Sequence, residues 1–261
     1  MKFQLLVAAV NAQVDTLIKT MNIKSDAIIA NQCKTDLIYD IKSGTNNITV
    51  IESSTVGVGK NRNLALDKSD ADICLFSDED IVYEDDYEAK VLNAFKEHED
   101  ASVITFNVIV DERRRTYFNE DVHEIKWNNY GRYPAYAIAI KRQDIVNNNI
   151  KYSLLFGGGA KYSNGEDSLF LHDCLKAGLK MYAVTDILGK ETYRESTWFK
   201  GYTEKYFFDR GVLYHFLYEK LAFLMGLRFL IKTKKDYEKD YSIFKAYGLL
   251  LKGVKEGKKI C

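Results

Sequence analysis

Three short clusters in this 261-residue chain carry residue types that could do chemistry. Asp78, Glu79 and Asp80 follow the apolar run Ile73-Cys74-Leu75-Phe76 and precede Ile81-Val82. Carboxylates held together between apolar segments repel one another and are costly to desolvate without a positive partner. A hard divalent cation, Mg²⁺ or Mn²⁺, is one such partner, because it takes oxygen ligands from one or two carboxylates plus phosphates. A solvated acidic turn that caps a following helix is the other reading, and spacing alone leaves the two even.

The second cluster is Gly57-Val58-Gly59-Lys60-Asn61-Arg62-Asn63. Backbone N–H groups at a glycine-rich helix start can bind phosphate, with Lys60 and Arg62 adding charge. It is neither a Walker A loop nor a GxGxxG fingerprint, and a plain turn before a basic helix would look the same. The third cluster joins Gly157, Gly158 and Gly159 to Asn164-Gly165-Glu166-Asp167. A carboxylate on the first turn of a helix can act as general base toward a hydroxyl, although capping is the commoner use of such residues. His98, His123, His172 and His215 show no metal-ligand spacing.

The elements that position these clusters follow from hydropathy. "FQLLVAAV" (3–10), "DAIIAN", "NITVIES" and "ASVITFNVIV" read as strands. "AQVDTLIKTM", "GKNRNLALDKS" and the run through Tyr87, Val91, Leu92 and Phe95 read as helices. Alternating strands and helices with continuous apolar strands predict an α/β fold, a mostly parallel sheet covered on both faces. Ligands of such sheets bind beyond the carboxyl ends of the strands, where the acidic cluster falls. From about Thr203 the chain becomes helical. Leu213, Leu217, Leu221, Leu224 and Ile231 form one expected apolar stripe; Ile243, Tyr247, Leu250, Leu251 and Val254 form another.

Composition sets the outer bounds. Lys plus Arg and Asp plus Glu both count 37, so no global charge argues for nucleic acid. From Lys220 onward, however, 11 basic residues face 4 acidic ones. Such a basic amphipathic tail can lie on an anionic membrane surface, each cation adding on the order of 1 kcal/mol. Packing on the domain or on a second subunit is the alternative. Cys33, Cys74, Cys174 and Cys261 are scattered, which suits a reducing cytoplasm rather than a disulfide framework.

Taken in order, the clusters resemble family 2 inverting glycosyltransferases of bacterial type with the GT-A fold. The resemblance rests on "LLVAAVN", "GVGKNRNLAL", "CLFSDEDIVYEDDYE", "GGGAKYSNGEDSLFLHDCLKAG" and "ESTWFKGYTEKYFFDRG", and spans roughly residues 3–210. It implies a catalytic domain over 1–205, with a nucleotide-binding half to about 110 and an acceptor half after it. Residues 206–261 would be a C-terminal amphipathic helical region. It implies Asp78 on the nucleotide ribose with Glu79 beside it, Asp80 on a Mg²⁺ or Mn²⁺ ion, and Asp167 as base with Glu166 adjacent. Ala8, Asn31, Gln32, Lys60, Arg62 and Asn63 would line the nucleotide, and Gly158, Gly159 and Trp198 the acceptor. Trp198, Phe199 and Tyr202 suit sugar stacking or an ordinary core equally. Asn31-Gln32 stands where the family carries an Asp-Asp-Gly-Ser stretch. No histidine lies between Asp186 and Trp198 to serve the metal, so either the metal would have fewer protein ligands or the phosphates would lean on Lys190 or Arg194. The implied activity is transfer from a nucleotide-diphosphate sugar, a UDP-sugar, to a glycan or lipid-linked acceptor in bacterial surface polysaccharide synthesis. The enzyme would be cytoplasmic, peripheral on the inner face of the membrane, with oligomerisation open. A non-catalytic sugar-nucleotide or glycan-binding protein competes with this reading. A nucleotidyltransferase is a weaker competitor, because "AAVNAQVD" lacks the glycine-rich loop that such an enzyme needs after its first strand.

Overall fold

The structure is a computed structural model and describes residues 1–112, 115–192 and 201–260. Trp198, Phe199 and Arg194 lie outside the described residues. The strands in chain order are β1 (Phe3–Val10), β2 (Ala27–Gln32), β3 (Leu37–Ser43), β4 (Asn46–Ser53) and β5 (Ile73–Asp78). They continue with β6 (Ile81–Tyr83), β7 (Val103–Ile109), β8 (His123–Glu124), β9 (Ile138–Lys141) and β10 (Met181–Glu191). The helices of the sheet region are α1 (Val14–Thr20), α2 (Val58–Lys68), α3 (Tyr87–Glu97), α4 (Arg142–Asn147) and α5 (Glu166–Lys176). A C-terminal group follows: α6 (Glu204–Tyr218), α7 (Ala222–Lys232), α8 (Lys234–Tyr237) and α9 (Ile243–Ile260).

The strands form one sheet in the order β3-β4-β2-β1-β5-β9-β7-β10-β6, with β8 beside β10. Its first half is parallel through β4, β2, β1 and β5. Strand β9 then inserts antiparallel between β5 and β7, and β7 pairs parallel with β10. The sheet is therefore mixed, with one parallel half. The register aligns Ala8 with Asp78, Val10 with Gln32, and Gln32 with Ser53, so these residues share one carboxyl edge. The apolar runs that predicted strands are those buried on both faces, where Val, Ile, Leu and Phe leave no polar side to face water.

One face packs on α1 and α3 through Leu17, Ile18, Tyr87, Val91 and Phe95. The other packs on α2 and α5 through Ala65, Leu66, Leu169, Phe170 and Cys174, and α6 adds Val212, Leu213 and Leu217 to this layer. The predicted stripe along the tail breaks after Leu217. Leu221, Leu224 and Ile231 are exposed, because α6 ends at Tyr218 and the chain turns through Glu219 at φ +45° before α7 begins. That turn rotates the register, and α7 instead buries Ala222, Gly226 and Leu230. In the second predicted stripe Leu250 is buried. Helices α6 and α9 approach so closely that a Cβ on Gly211 would meet the Leu250 carbonyl oxygen, and one on Gly253 that of Phe208. Among the described residues no helix is long and apolar enough to cross a membrane.

Candidate active site

Helix α2 starts at the carboxyl edge of the sheet. Its N-cap Gly57 holds φ +127°, a conformation costly for any residue with a Cβ, and donates its N–H to Gln32 Oε1 at 3.0 Å. The triglycine segment lies against this helix start. Val58 donates its N–H to the Gly158 carbonyl at 2.8 Å, and a Cβ on Gly159 would crowd Val56 and Gly57. The first free N–H of α2 is thus satisfied by the chain itself. Lys60 lines a small cleft of about 190 Å³ with Val56, Gly59, Ser153 and Ala160.

One turn into α2, Arg62 falls on the buried stripe with Ala65 and Leu66 and is 4% exposed. A buried guanidinium needs partners, and Arg62 has three. Its Nη2 donates to Asp78 Oδ1 at 2.8 Å, while Nη1 donates to Asp167 Oδ1 at 3.0 Å and to Glu166 Oε1 at 3.3 Å. The guanidinium also lies 5.1 Å from the ring centroid of Tyr152. Burial works against its charge, but Asp78 and then Asp167 outweigh burial and hold it firmly protonated. The positive partner that the acidic strand end demanded is, within the chain, Arg62.

Glu166 and Asp167 reach Arg62 because α5 starts at Gly165, φ +113°, where a Cβ would strike Leu213 of α6. A Cβ on Gly157 would strike Glu166 in turn. Burial is the largest influence on Asp167, and Glu166 and Asp78 add to it. Against the pull of Arg62, the carboxyl is pushed up to about 8. A carboxyl raised this far is a stronger proton acceptor once ionised, and its ionised fraction grows as pH rises toward and past 8.

Tyr136 faces the same point. Burial and the carboxylates of Glu191, Asp78, Asp167 and Asp80 raise its hydroxyl well above the ordinary range. Three carboxylates, those of Asp78, Glu166 and Asp167, therefore meet at one guanidinium, and those of Asp80 and Glu191 act with Asp78 and Asp167 on Tyr136 beside it. Among the described residues no group of three or more His, Cys, Asp or Glu has metal-site geometry. One or two carboxylates, completed by diphosphate oxygens, is the donor set that Mg²⁺ or Mn²⁺ commonly uses.

The remaining sequence candidates occupy different positions. Ala8 is buried beside Asp78 in the sheet register. Asn31 accepts from the Ala12 N–H at 3.0 Å and donates to the Ala12 carbonyl at 3.1 Å, so its amide fastens the loop after β1. Asn63 accepts from the Tyr152 N–H at 2.8 Å and donates to the Tyr152 carbonyl at 2.9 Å, and so faces the chain rather than the sheet edge. Glu79 accepts from the Val10 N–H at 3.2 Å. The Asp80 carbonyl accepts from both the N–H and the hydroxyl of Thr192. Lys190 is exposed on β10. Sequence reasoning missed Tyr136 and Tyr152; the single proline at 134, just before Tyr136, was a weak signal for the first.

Residues 8–153, more than half of the chain, match the family model described as glycosyl transferase family 2. No curated protein matches the chain. Among solved structures it is similar to S. aureus TarS 1–349 in complex with UDP-GlcNAc, at 15% identity and a TM-score of 0.67, covering 98% of this chain and 80% of that one. It is also similar to the same protein in complex with UDP, at 16% identity and a TM-score of 0.62, over 98% and 82% of the two chains. At such identity the likeness is one of fold, and it extends through the C-terminal helices. The fold is that of GT-A enzymes, and the chain belongs to glycosyl transferase family 2.

Proposed function

We propose that this glycosyltransferase moves a sugar from a UDP-sugar to a hydroxyl of a glycan or lipid-linked acceptor, with inversion, in bacterial surface polysaccharide synthesis. The observation that carries this reading is the Arg62 cluster. It joins the strand end that would hold the donor, Asp78, to the helix start that would hold the acceptor, Glu166 and Asp167. Donor and acceptor groups then meet where a single displacement needs them. The similar TarS structures contain UDP-GlcNAc or UDP, which favours a uridine nucleotide for this chain as well.

Asp167, whose carboxyl is raised to about 8, takes the acceptor hydroxyl proton as that oxygen attacks the anomeric carbon. Arg62 holds Asp167 in place and keeps the buried carboxylates from repelling one another. Asp78 orients the ribose, and Gln32 braces Gly57 at the nucleotide edge. Asp80, with Asp78 close by, would hold a Mg²⁺ or Mn²⁺ ion. Such an ion supplies charge stabilisation to the leaving diphosphate. Residues 1–205 form the catalytic domain in this reading, and 206–261 a helical appendage that shares its core.

Calorimetric titration of UDP with and without Mn²⁺, in the wild type and in Asp80→Ala, tests the proposal. UDP binding that requires Mn²⁺ and vanishes in the variant is the expected result. Absence of binding under every condition would overturn the donor reading.

A further inference from the structure

On the far side of α5 from the candidate active site lies a groove of about 810 Å³ between α5, α6 and α9. A helix turns by about 100° per residue. Relative to Asp167, the residues of α5 that line the groove, Leu169, His172, Asp173 and Lys176, therefore fall on the opposite face. The groove opens on the side of α5 away from Asp167 and shares only Ser153 with the small cleft at Lys60.

Its chemistry is two-sided. Lys151, Lys176, Lys220, Lys255 and Lys258 stand on its rim against only two carboxylates, Asp173 and Glu219. Lys151 is paired with Asp67, and Asp173 faces the ring of His172. The other four lysines make no ion pair among the described residues, whereas Lys2, Lys24, Lys90, Lys126, Lys180 and Lys245 each hold a carboxylate. The walls between the lysines are apolar, formed by Leu169, Phe216, Phe223 and Val254. Phe223, 45% exposed, leads onto the outer face of α7, where Leu224 and Ile231, with Leu221 just before the helix, are 50–61% exposed beside exposed Arg228 and Lys232.

We infer that this face seats the protein on an anionic phospholipid bilayer. Lipid headgroup phosphates enter the lysine-rimmed groove, and the apolar side chains of α7 enter the headgroup boundary. Cations without internal partners favour a negatively charged surface, and large exposed apolar residues interleaved with them favour a lipid one. A soluble polyanion would leave the α7 residues in water, and a second copy would set this excess of lysines against itself. The inference is independent of the donor and acceptor proposed above.

The test is co-sedimentation with vesicles of phosphatidylcholine alone and of phosphatidylcholine carrying about one-third phosphatidylglycerol. Two variants are compared, Lys220→Gln/Lys255→Gln/Lys258→Gln and Phe223→Ser/Leu224→Ser. All five residues are exposed or on the groove rim, so both variants are expected to keep the wild-type circular dichroism and UDP binding. Wild type is expected to pellet with the anionic vesicles only, and less as salt rises. The lysine variant should bind about fivefold more weakly per residue changed. The α7 variant should lose the salt-resistant part of the binding. Equal pelleting with both vesicle types, or undiminished pelleting of the lysine variant, would overturn the inference. So would a doubled mass by light scattering, or calorimetric binding of inorganic phosphate, without any pelleting.

Discussion

Arg62 Nη1 lies 3.0 Å from Asp167 Oδ1, linking the second turn of α2 to the first turn of α5 across 105 positions of sequence. Each of the two residues is buried or half-buried because of the other. The charge of Arg62 is tolerable only with carboxylates around it, and the carboxylates assemble only around a cation.

Replacing Arg62 by Met should therefore destabilise the fold by about 3–5 kcal/mol, since three carboxylates lose their buried counter-charge. In an Asp78→Asn background the same substitution should cost less, because fewer charges are stranded. Denaturant unfolding of the four proteins of this double-mutant cycle measures the coupling.

Asp167→Asn should lower kcat on the order of a thousandfold while UDP binding persists. In the wild type, a protonated Asp167 cannot accept the hydroxyl proton, so kcat/KM should rise with pH and level off above about 8. Glu166→Gln removes one of the carboxylates that raise Asp167, so the midpoint should move downward. A profile whose midpoint stays in the ordinary carboxylate range would remove Asp167 from the role of base.

The same shift has a thermodynamic sign. Asp167 binds its proton more tightly folded than unfolded, so its favourable contribution is full below the ordinary 3.8 and is lost as pH rises through about 8. The Tm of Asp167→Asn, measured against wild type, should accordingly gain ground between those two values. A constant difference across that window would contradict the buried, carboxylate-crowded environment.

Gly165→Ala should impair catalysis and folding together. The new Cβ would sit 2.4 Å from Leu213 Cδ2, and φ +113° disfavours any side chain. Leu213→Ala in the same chain should restore part of the loss by opening space, leaving the backbone strain, about 1 kcal/mol or more. No recovery at all would mean that the strained φ alone accounts for the damage.

Asp209→Ala tests how α6 holds the active-site loop. Asp209 is 3% exposed and accepts from both the N–H and the hydroxyl of Ser163, two residues before Gly165. The variant should lose about 1–3 kcal/mol, because buried donors are left unpaired. Unfolding midpoints together with kcat would show whether the loop and the fold loosen as one.

Much of this arrangement was legible locally. Buried strands announce themselves as apolar runs, and β1, β2, β5 and β7 lie where those runs stand. Strand β3 was missed because it is an edge strand with Leu37 and Ile38 exposed; "LIYDIKS" has no clean buried face for hydropathy to reveal. The place of β9 between β5 and β7 is a long-range pairing with no local signature. The same holds at the site. Arg62 drew notice as a phosphate cation, yet its position on the buried stripe with Ala65 and Leu66 was the clue that it points inward. Its partners at 166 and 167 could not be read from spacing. Nor could the tail's apolar stripe be followed past Glu219, where one left-handed residue ends a helix inside an otherwise helical run.

Helix α6 closes the same core layer that α2 and α5 begin, through Val212, Leu213 and Leu217. During synthesis, that layer stays open to water until residue 217 has cleared the ribosome, by which time strands β1 to β5 have long been available to fold. The active-site helix start must therefore wait for the C-terminal helices, and a chain released early would expose the apolar face of α5 to chaperones and proteases.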